Sequence, residues 1–258
     1  MSALGGLLGE LGTILTRRAR RSARHLYARL RWGGDLPALA TYFGTDKWGS
    51  HWYAQHYQAY FAPLRRKRLR LLEIGIGGYG ATDQGGESLR MWKAYFPKGQ
   101  IYGLDLVDKR VHDEHRVTTV IGSQDDEALL RRLSESAGPF DIVIDDGSHV
   151  SAHIIKTFQI LFPLLSENGI YVVEDTQTAY WADFGGSRRA ELAAPTSMNF
   201  LKGLADGLNY REFVRKADEP LYVPSYFDEH IVAMHFYHNL VFIRKGLNNE
   251  KSNVLDKG

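Results

Sequence analysis

From residue 68 onward, short runs rich in β-branched and aromatic residues alternate with stretches at helical spacing. This alternation restricts the fold more than any other feature of the chain. It predicts strands at 68–76 (RLRLLEIGI), 100–106 (QIYGLDL), 116–121 (RVTTVI), 141–144 (DIVI) and 169–173 (GIYVV). Helices are expected at 87–96, 125–136 and 150–165, the second with acids in its first turn, where the helix dipole favours them. Residues 176–228 are less regular and polar. Then 231–237 and 240–245 read as a hairpin turning near His238 and Asn239. Strand–helix alternation implies a mostly parallel α/β sheet with right-handed crossovers, and a terminal hairpin adds an antiparallel strand. In such open sheets ligands sit beyond the carboxyl ends of the strands, so those ends are where function is to be sought.

The first strand runs into Glu73-Ile74-Gly75-Ile76-Gly77-Gly78-Tyr79-Gly80. Glycines such as Gly75 and Gly77 let the backbone approach a ligand closely. The run matches the dinucleotide fingerprint G-x-G-x-x-G, but that site needs a helix opening at the glycines to face a pyrophosphate. Here residues 81–86 (ATDQGG) form a loop first, which suits a ligand without a pyrophosphate. Glu73 adds an acid able to meet a cationic amino group. The second strand ends at Asp105, placed to accept both hydroxyls of a ribose. The third runs into Gly122-Ser123-Gln124-Asp125, where an adenine edge would lie; Ser123 or Asp125 can equally cap the next helix.

The fourth strand delivers Asp145-Asp146-Gly147-Ser148-His149 and the fifth Glu174-Asp175. Asp145 is read as a cofactor-side acid or as a cap of the following helix. If these strands are neighbours, four carboxylates and a histidine converge on one edge. Clustered carboxylates repel unless a cation joins them, and oxygen ligands favour magnesium, manganese or calcium. Asp146, Glu174 and Asp175 are therefore the expected metal ligands, and His149 the general base. His149 and His153, four apart, would share a helix face, and with Asp146 they imitate a two-histidine, one-carboxylate iron or zinc site. That alternative leaves Glu174 and Asp175 unexplained. An NAD-dependent sugar dehydrogenase or epimerase explains the glycines and Asp105 but neither Glu174-Asp175 nor the ATDQGG loop.

Composition narrows the classes further. The chain has no cysteine, which excludes disulfides, thiolate metal sites and a cysteine nucleophile, and fits a reducing cytoplasm. Its net charge of +2 is uneven. Residues 1–32 hold seven arginines against Glu10 alone, leaving 25 basic and 29 acidic residues elsewhere, a net of −4. A basic arm (1–40) thus precedes the main body (41–245) and a polar tail (246–258) that is expected to fray. The body has no basic surplus to suggest a nucleic-acid partner. No stretch is long and apolar enough for stable membrane insertion. The arm is not a secretion signal, because its arginines follow the apolar stretch. Leu4, Leu7, Leu8, Leu11, Ile14 and Leu15 fall at helical spacing. The arm either packs its leucines on protein with its arginines in water, or docks on a membrane surface or anionic partner. The latter would suit a non-catalytic docking protein.

Four segments together resemble the macrocin and mycinamicin O-methyltransferase family. They are 42–49 (YFGTDKWG) with His51 and Tyr53, 72–80 (LEIGIGGYG), 144–149 (IDDGSH) and 171–180 (YVVEDTQTAY). The likeness covers roughly residues 41–245. It implies a Rossmann-like, class I S-adenosylmethionine-dependent methyltransferase fold with strand order 3-2-1-4-5-7-6. It further implies magnesium at Asp146, Glu174 and Asp175, His149 as base, and Thr45 and Lys47 lying over the S-adenosylmethionine. The implied acceptor is the hydroxyl of a sugar or short oligosaccharide. A narrower likeness is to mycobacterial sugar O-methyltransferases of methylmannose polysaccharide synthesis, which methylate the 1-OH of a short methylated mannoside. Tyr180, Trp181, Trp48 and Tyr53 are candidate aromatic faces for the sugar. A homo-oligomer, dimer or higher, is expected. The sequence departs from the macrolide enzymes at its amino end, where those carry a sizeable extra domain, so oligomer and lid contacts do not carry over.

Overall fold

A computed structural model describes residues 19–188, 194–214 and 221–252. The apolar stretch from Leu4 to Leu15 lies outside the described residues. The chain divides into two compact units, residues up to Arg68 with Gly85–Gly99, and Leu69–Gln84 with Gln100 onward.

The first unit is helical. α1 covers 19–32, α2 is Leu36–Phe43, α3 is Ala54–Phe61 and α4 is Glu87–Tyr95. Asp35 caps α2 by accepting from Ala38 N, and Gly44 ends it in the left-handed conformation. The core of this unit is aromatic: Tyr57, Phe61, Trp92 and Phe96 are all fully buried, with ring centroids 5.1–5.8 Å apart. Each such ring contributes roughly 1.5–3 kcal/mol through burial.

The second unit carries the sheet. Its strands are β1 (Arg70–Ile74), β2 (Gln100–Asp105), β3 (Val117–Ile121), β4 (Ile142–Asp145), β5 (Ile170–Glu174), β6 (Ile231–Tyr237) and β7 (Leu240–Lys245). Their order is β3-β2-β1-β4-β5-β7-β6, with β7 antiparallel to both neighbours and the other pairs parallel. Each expected strand is present with its ends within two residues. β1, β4 and β5 are buried almost throughout, which explains why parallel strands read as unbroken apolar runs. The helices are α5 (Glu127–Ala137), α6 (Ser151–Leu164), α7 (Ser197–Asp206) and α8 (Tyr226–His230). Phe158 of α6 anchors the core, packing its ring against Phe162, Tyr171, Phe200 and Phe227. The stretch after Gly246 does not fray at once. Asn248 donates to Leu208 O and Asp228 O, and the Ser252 hydroxyl donates to Glu212.

One position fixes how closely the strand ends approach. Gly75 leaves β1 at φ +78°, and a Cβ there would lie 2.1 Å from the carbonyl oxygen of Asp146. Its N–H donates to Leu104 O (2.8 Å), while Asp146 N donates to Ile74 O (3.0 Å). The ends of β1, β2 and β4 are drawn together on that residue. Gly75→Ala adds both left-handed strain and a backbone clash, so denaturant unfolding should show a loss of at least about 2 kcal/mol.

Candidate functional site

The loop after β1 is shaped by a side chain that nothing in the sequence advertises. Lys109 is 1% exposed, and its ammonium, with three N–H groups, lies within hydrogen-bond distance of the carbonyl oxygens of Gly77 (2.8 Å), Tyr79 (3.3 Å), Ala81 (2.5 Å) and Gln84 (3.0 Å). The His112 ring also bonds Gln84 O at 3.1 Å. A charged donor caged by carbonyls makes stronger bonds than neutral pairs, so the loop is held in one shape. The Asp105 carboxylate, at the end of β2, accepts from Ile76 N (3.2 Å) and Val107 N (2.9 Å). That leaves it further lone pairs for a ligand. Glu73 is fully buried within β1.

Beyond β3 the structure assigns the residues differently from one another. Ser123 is half-buried and its hydroxyl donates to Asp125. The cap of α5 is Asp126, accepting from Leu129 N, and neither Ser123 nor Asp125 fills that position. The side chain of Gln124 is enclosed. Its amide donates to Asp145 Oδ1 (3.0 Å) and Thr157 Oγ1 (3.2 Å), and its carbonyl accepts from Ser148 N (2.6 Å). A Cβ on Gly147 would fall 2.2 Å from that Gln124 oxygen, so glycine is required for the staple to close. Asp145 turns into the core, accepting from Gln124 and from the Tyr171 hydroxyl (3.2 Å). Burial pushes its carboxyl up to about 7 and raises the Tyr171 phenol well above its ordinary value. Asp145 therefore does not cap α6; the N-cap position is Val150.

Asp146, the next residue, lies just beyond the end of β4. It meets His149 and Asp175, each of the three half-buried, with one ligand atom from each lying within 4.8 Å of the others. Groups this close can share a metal ion, and two of the three offer the oxygen donors that hard divalent cations favour. Glu174, at the end of β5, is 2% exposed and stands outside that group. His149 (φ +57°) and Asp175 (φ +52°) both hold left-handed backbone, which costs energy and concentrates at working sites. One hydroxyl ties their loops together: Thr178 Oγ1 lies within hydrogen-bond distance of His149 O (3.0 Å) and Asp175 O (2.9 Å), its single proton shared between them. His149 Nε2 lies 3.8 Å from Asp175 Oδ2.

The shared helix face expected for His149 and His153 does not form. α6 begins at Ser151, so His149 precedes it, and the His153 ring bonds Ser148 Oγ (2.9 Å) with Asp125 3.8 Å away. Of the candidate aromatics, Tyr180 and Trp181 are exposed just after Asp175, whereas Tyr53 is buried and stacked on His51. Trp48 packs edge-on against Trp52 in the helical unit. Thr45 and Lys47 also belong to that unit. Both are buried, and Lys47 N donates weakly to Thr45 Oγ1 (3.4 Å).

No protein-family model matches the chain. Comparison with known proteins nevertheless gives clear relatives. Mycinamicin VI 2''-O-methyltransferase of Micromonospora griseorubida is 46% identical over 217 residues, 84% of this chain and 54% of the relative. Demethylmacrocin O-methyltransferase of Streptomyces fradiae is 47% identical over the same shares. The crystal structure of the MycE methyltransferase of the mycinamycin pathway, in complex with Mg and SAH, superposes with a TM-score of 0.81. It is 44% identical and covers 87% of this chain and 57% of its own. The chain is a homologue of the mycinamicin and macrocin sugar O-methyltransferases. Its strand order is that of the class I methyltransferase fold, as the resemblance implied. It spans about half the length of the relatives it matches.

Lys109, Thr178 and the enclosure of Gln124 were invisible in the sequence, because each depends on which way a side chain turns after folding. Asp145 gives the sharpest test of this support. Asp145→Ala strands the Gln124 amide and the Tyr171 hydroxyl in the core and should cost about 2–4 kcal/mol in denaturant unfolding. Asp145→Asn keeps both partners and should stay within about 1 kcal/mol of the parent.

Proposed function

We propose that this chain is an S-adenosylmethionine-dependent, divalent-metal-dependent O-methyltransferase acting on a sugar hydroxyl. The observation that supports this most is the meeting of Asp146, His149 and Asp175 beyond β4 and β5, in the same unit as the glycine loop and Asp105. Relatives named as mycinamicin VI 2''-O-methyltransferase and demethylmacrocin O-methyltransferase, and a MycE structure described with Mg and SAH, point the same way.

Asp105 offers its remaining lone pairs to the ribose hydroxyls of the cofactor. The loop through Gly75 and Gly77 presents backbone to its amino-acid end, with Glu73 beneath, and Ser123 borders the adenine. Gln124 and Asp145 act from behind, fixing the ends of β3 and β4. Asp146 and Asp175 are the first ligands of the cation, with Glu174 completing the acidic edge. When bound, the cation supplies Lewis acidity to the acceptor oxygen, and S-adenosylmethionine supplies an electrophilic methyl group. His149 Nε2 takes the hydroxyl proton, and the imidazolium formed lies close enough to the Asp175 carboxylate to be stabilised by it. Exposed Tyr180 and Trp181 give the sugar an apolar wall. We place this work in the cytoplasm, where a chain without cysteine needs no oxidising environment.

The three-residue grouping favours one competing reading, in which His149 is a third metal ligand rather than the base. Methyl transfer from radiolabelled cofactor to a panel of rhamnosides, mannosides and macrolide glycosides separates the two. His149→Ala should lower turnover about 10²–10⁴-fold, with cofactor affinity and the magnesium concentration for half-maximal rate unchanged. A rise in that magnesium concentration would assign His149 to the metal. Full activity in the variant, or full activity of the parent in EDTA, would refute the proposal.

A further inference from the structure

α1 turns its apolar side the wrong way for a helix that merely packs on its own protein. His25 and Ala28 are its buried residues, and the His25 ring lies 5.2 Å from Phe43. Leu26, Tyr27 and Leu30 are 49%, 55% and 77% exposed. At 100° per residue, Ala19, Ala23, Leu26 and Leu30 share one outward sector roughly 60° wide. On the same projection Arg20 and Arg31 flank it on one side and Arg29 on the other, and all three are exposed. Arg24 is spent elsewhere, donating to Tyr42 O (3.1 Å) with its guanidinium over the Tyr42 ring. In sequence the same spacing extends upstream through Leu15, Leu11, Leu8 and Leu4.

We infer that this outward face of α1 docks on an anionic lipid surface, its leucines entering the headgroup boundary and its flanking arginines pairing with lipid phosphates. An apolar strip edged by arginines is the pattern of a helix lying in a membrane interface. Charge decides between occupants. Two copies of this arm, seven arginines against one acid in 32 residues, would repel if their faces paired, whereas an anionic surface attracts every arginine. The inference stands apart from the methyl-transfer reading and would survive its failure.

The test is co-sedimentation of the full chain with phosphatidylcholine vesicles, with and without phosphatidylglycerol. The chain should pellet only with the anionic vesicles and be released at high salt. Arg20→Gln with Arg29→Gln should weaken binding at least tenfold, since each arginine near an anionic surface is worth about fivefold. Leu26→Ser with Leu30→Ser should weaken it at least tenfold as well. These residues are exposed, so an unchanged melting temperature in each variant shows that the fold is kept. Equal binding to neutral vesicles, no binding to anionic ones, or no effect of the leucine substitutions overturns the inference. So does an α1-dependent dimer in sedimentation velocity without vesicle binding.

Discussion

The in-register parallel pairing of β4 with β5 is the constraint on which the rest of the site depends. Asp145 lies opposite Val173, so Asp146, just beyond β4, and Asp175, just beyond β5, come together at the carboxyl edge. The cost of that crowding is electrostatic. Carboxylates held close in a half-buried setting repel, and a divalent cation converts the repulsion into attraction. Much of the surrounding architecture resists the tendency of these groups to separate. Gly75 admits β4 to within van der Waals contact of β1, Gln124 staples β3 to β4 and α6, and Thr178 joins the His149 and Asp175 loops.

The end of β4 separates the roles of two adjacent acids. Asp145 is the last residue of the strand and Asp146 the first beyond it. Asp145 faces the core and is satisfied by neutral donors, with its carboxyl raised to about 7 by burial, while Asp146 faces the ligand edge. The two residues thus do different physical work: one secures the strand end and the other supplies a charge. The Lys109 cage plays a similar supporting part on the far side of the glycine loop. Carbonyls turned inward onto the ammonium hold the loop from which the cofactor is proposed to be read.

The strand ladder was legible because buried parallel strands leave apolar runs punctuated by glycine and acid. The hairpin of β6 and β7 was placed to the residue, since Asn239 at φ +60° marks the turn. The nearness of Asp146 and Asp175 was legible for the same reason, whereas Glu174, read with them, ends β5 buried and outside that group. Direction was harder to read. Asp145 and Gln124 looked like ligand-facing residues, and only the register and the approach of α6 show them turned inward. His149 and His153 looked like a pair on one helix, but the left-handed backbone at His149 starts the helix two residues later. For the arm, packing on protein and docking on an anionic surface were both weighed, from leucines at 4–15 that lie outside the described residues. Within α1, the described part of the arm, the buried residues are His25 and Ala28.

The central claim is that Asp146 and Asp175, brought together by strand pairing, hold a divalent cation. Manganese titration followed by electron paramagnetic resonance tests it without any need for turnover, since carboxylate sites that take magnesium also take manganese. The account predicts one bound ion per chain, at least about tenfold weaker binding in Asp146→Asn and in Asp175→Asn, and no change in Asp108→Asn. Equal manganese affinity in the parent and in both site variants, or no bound ion at all, would contradict it.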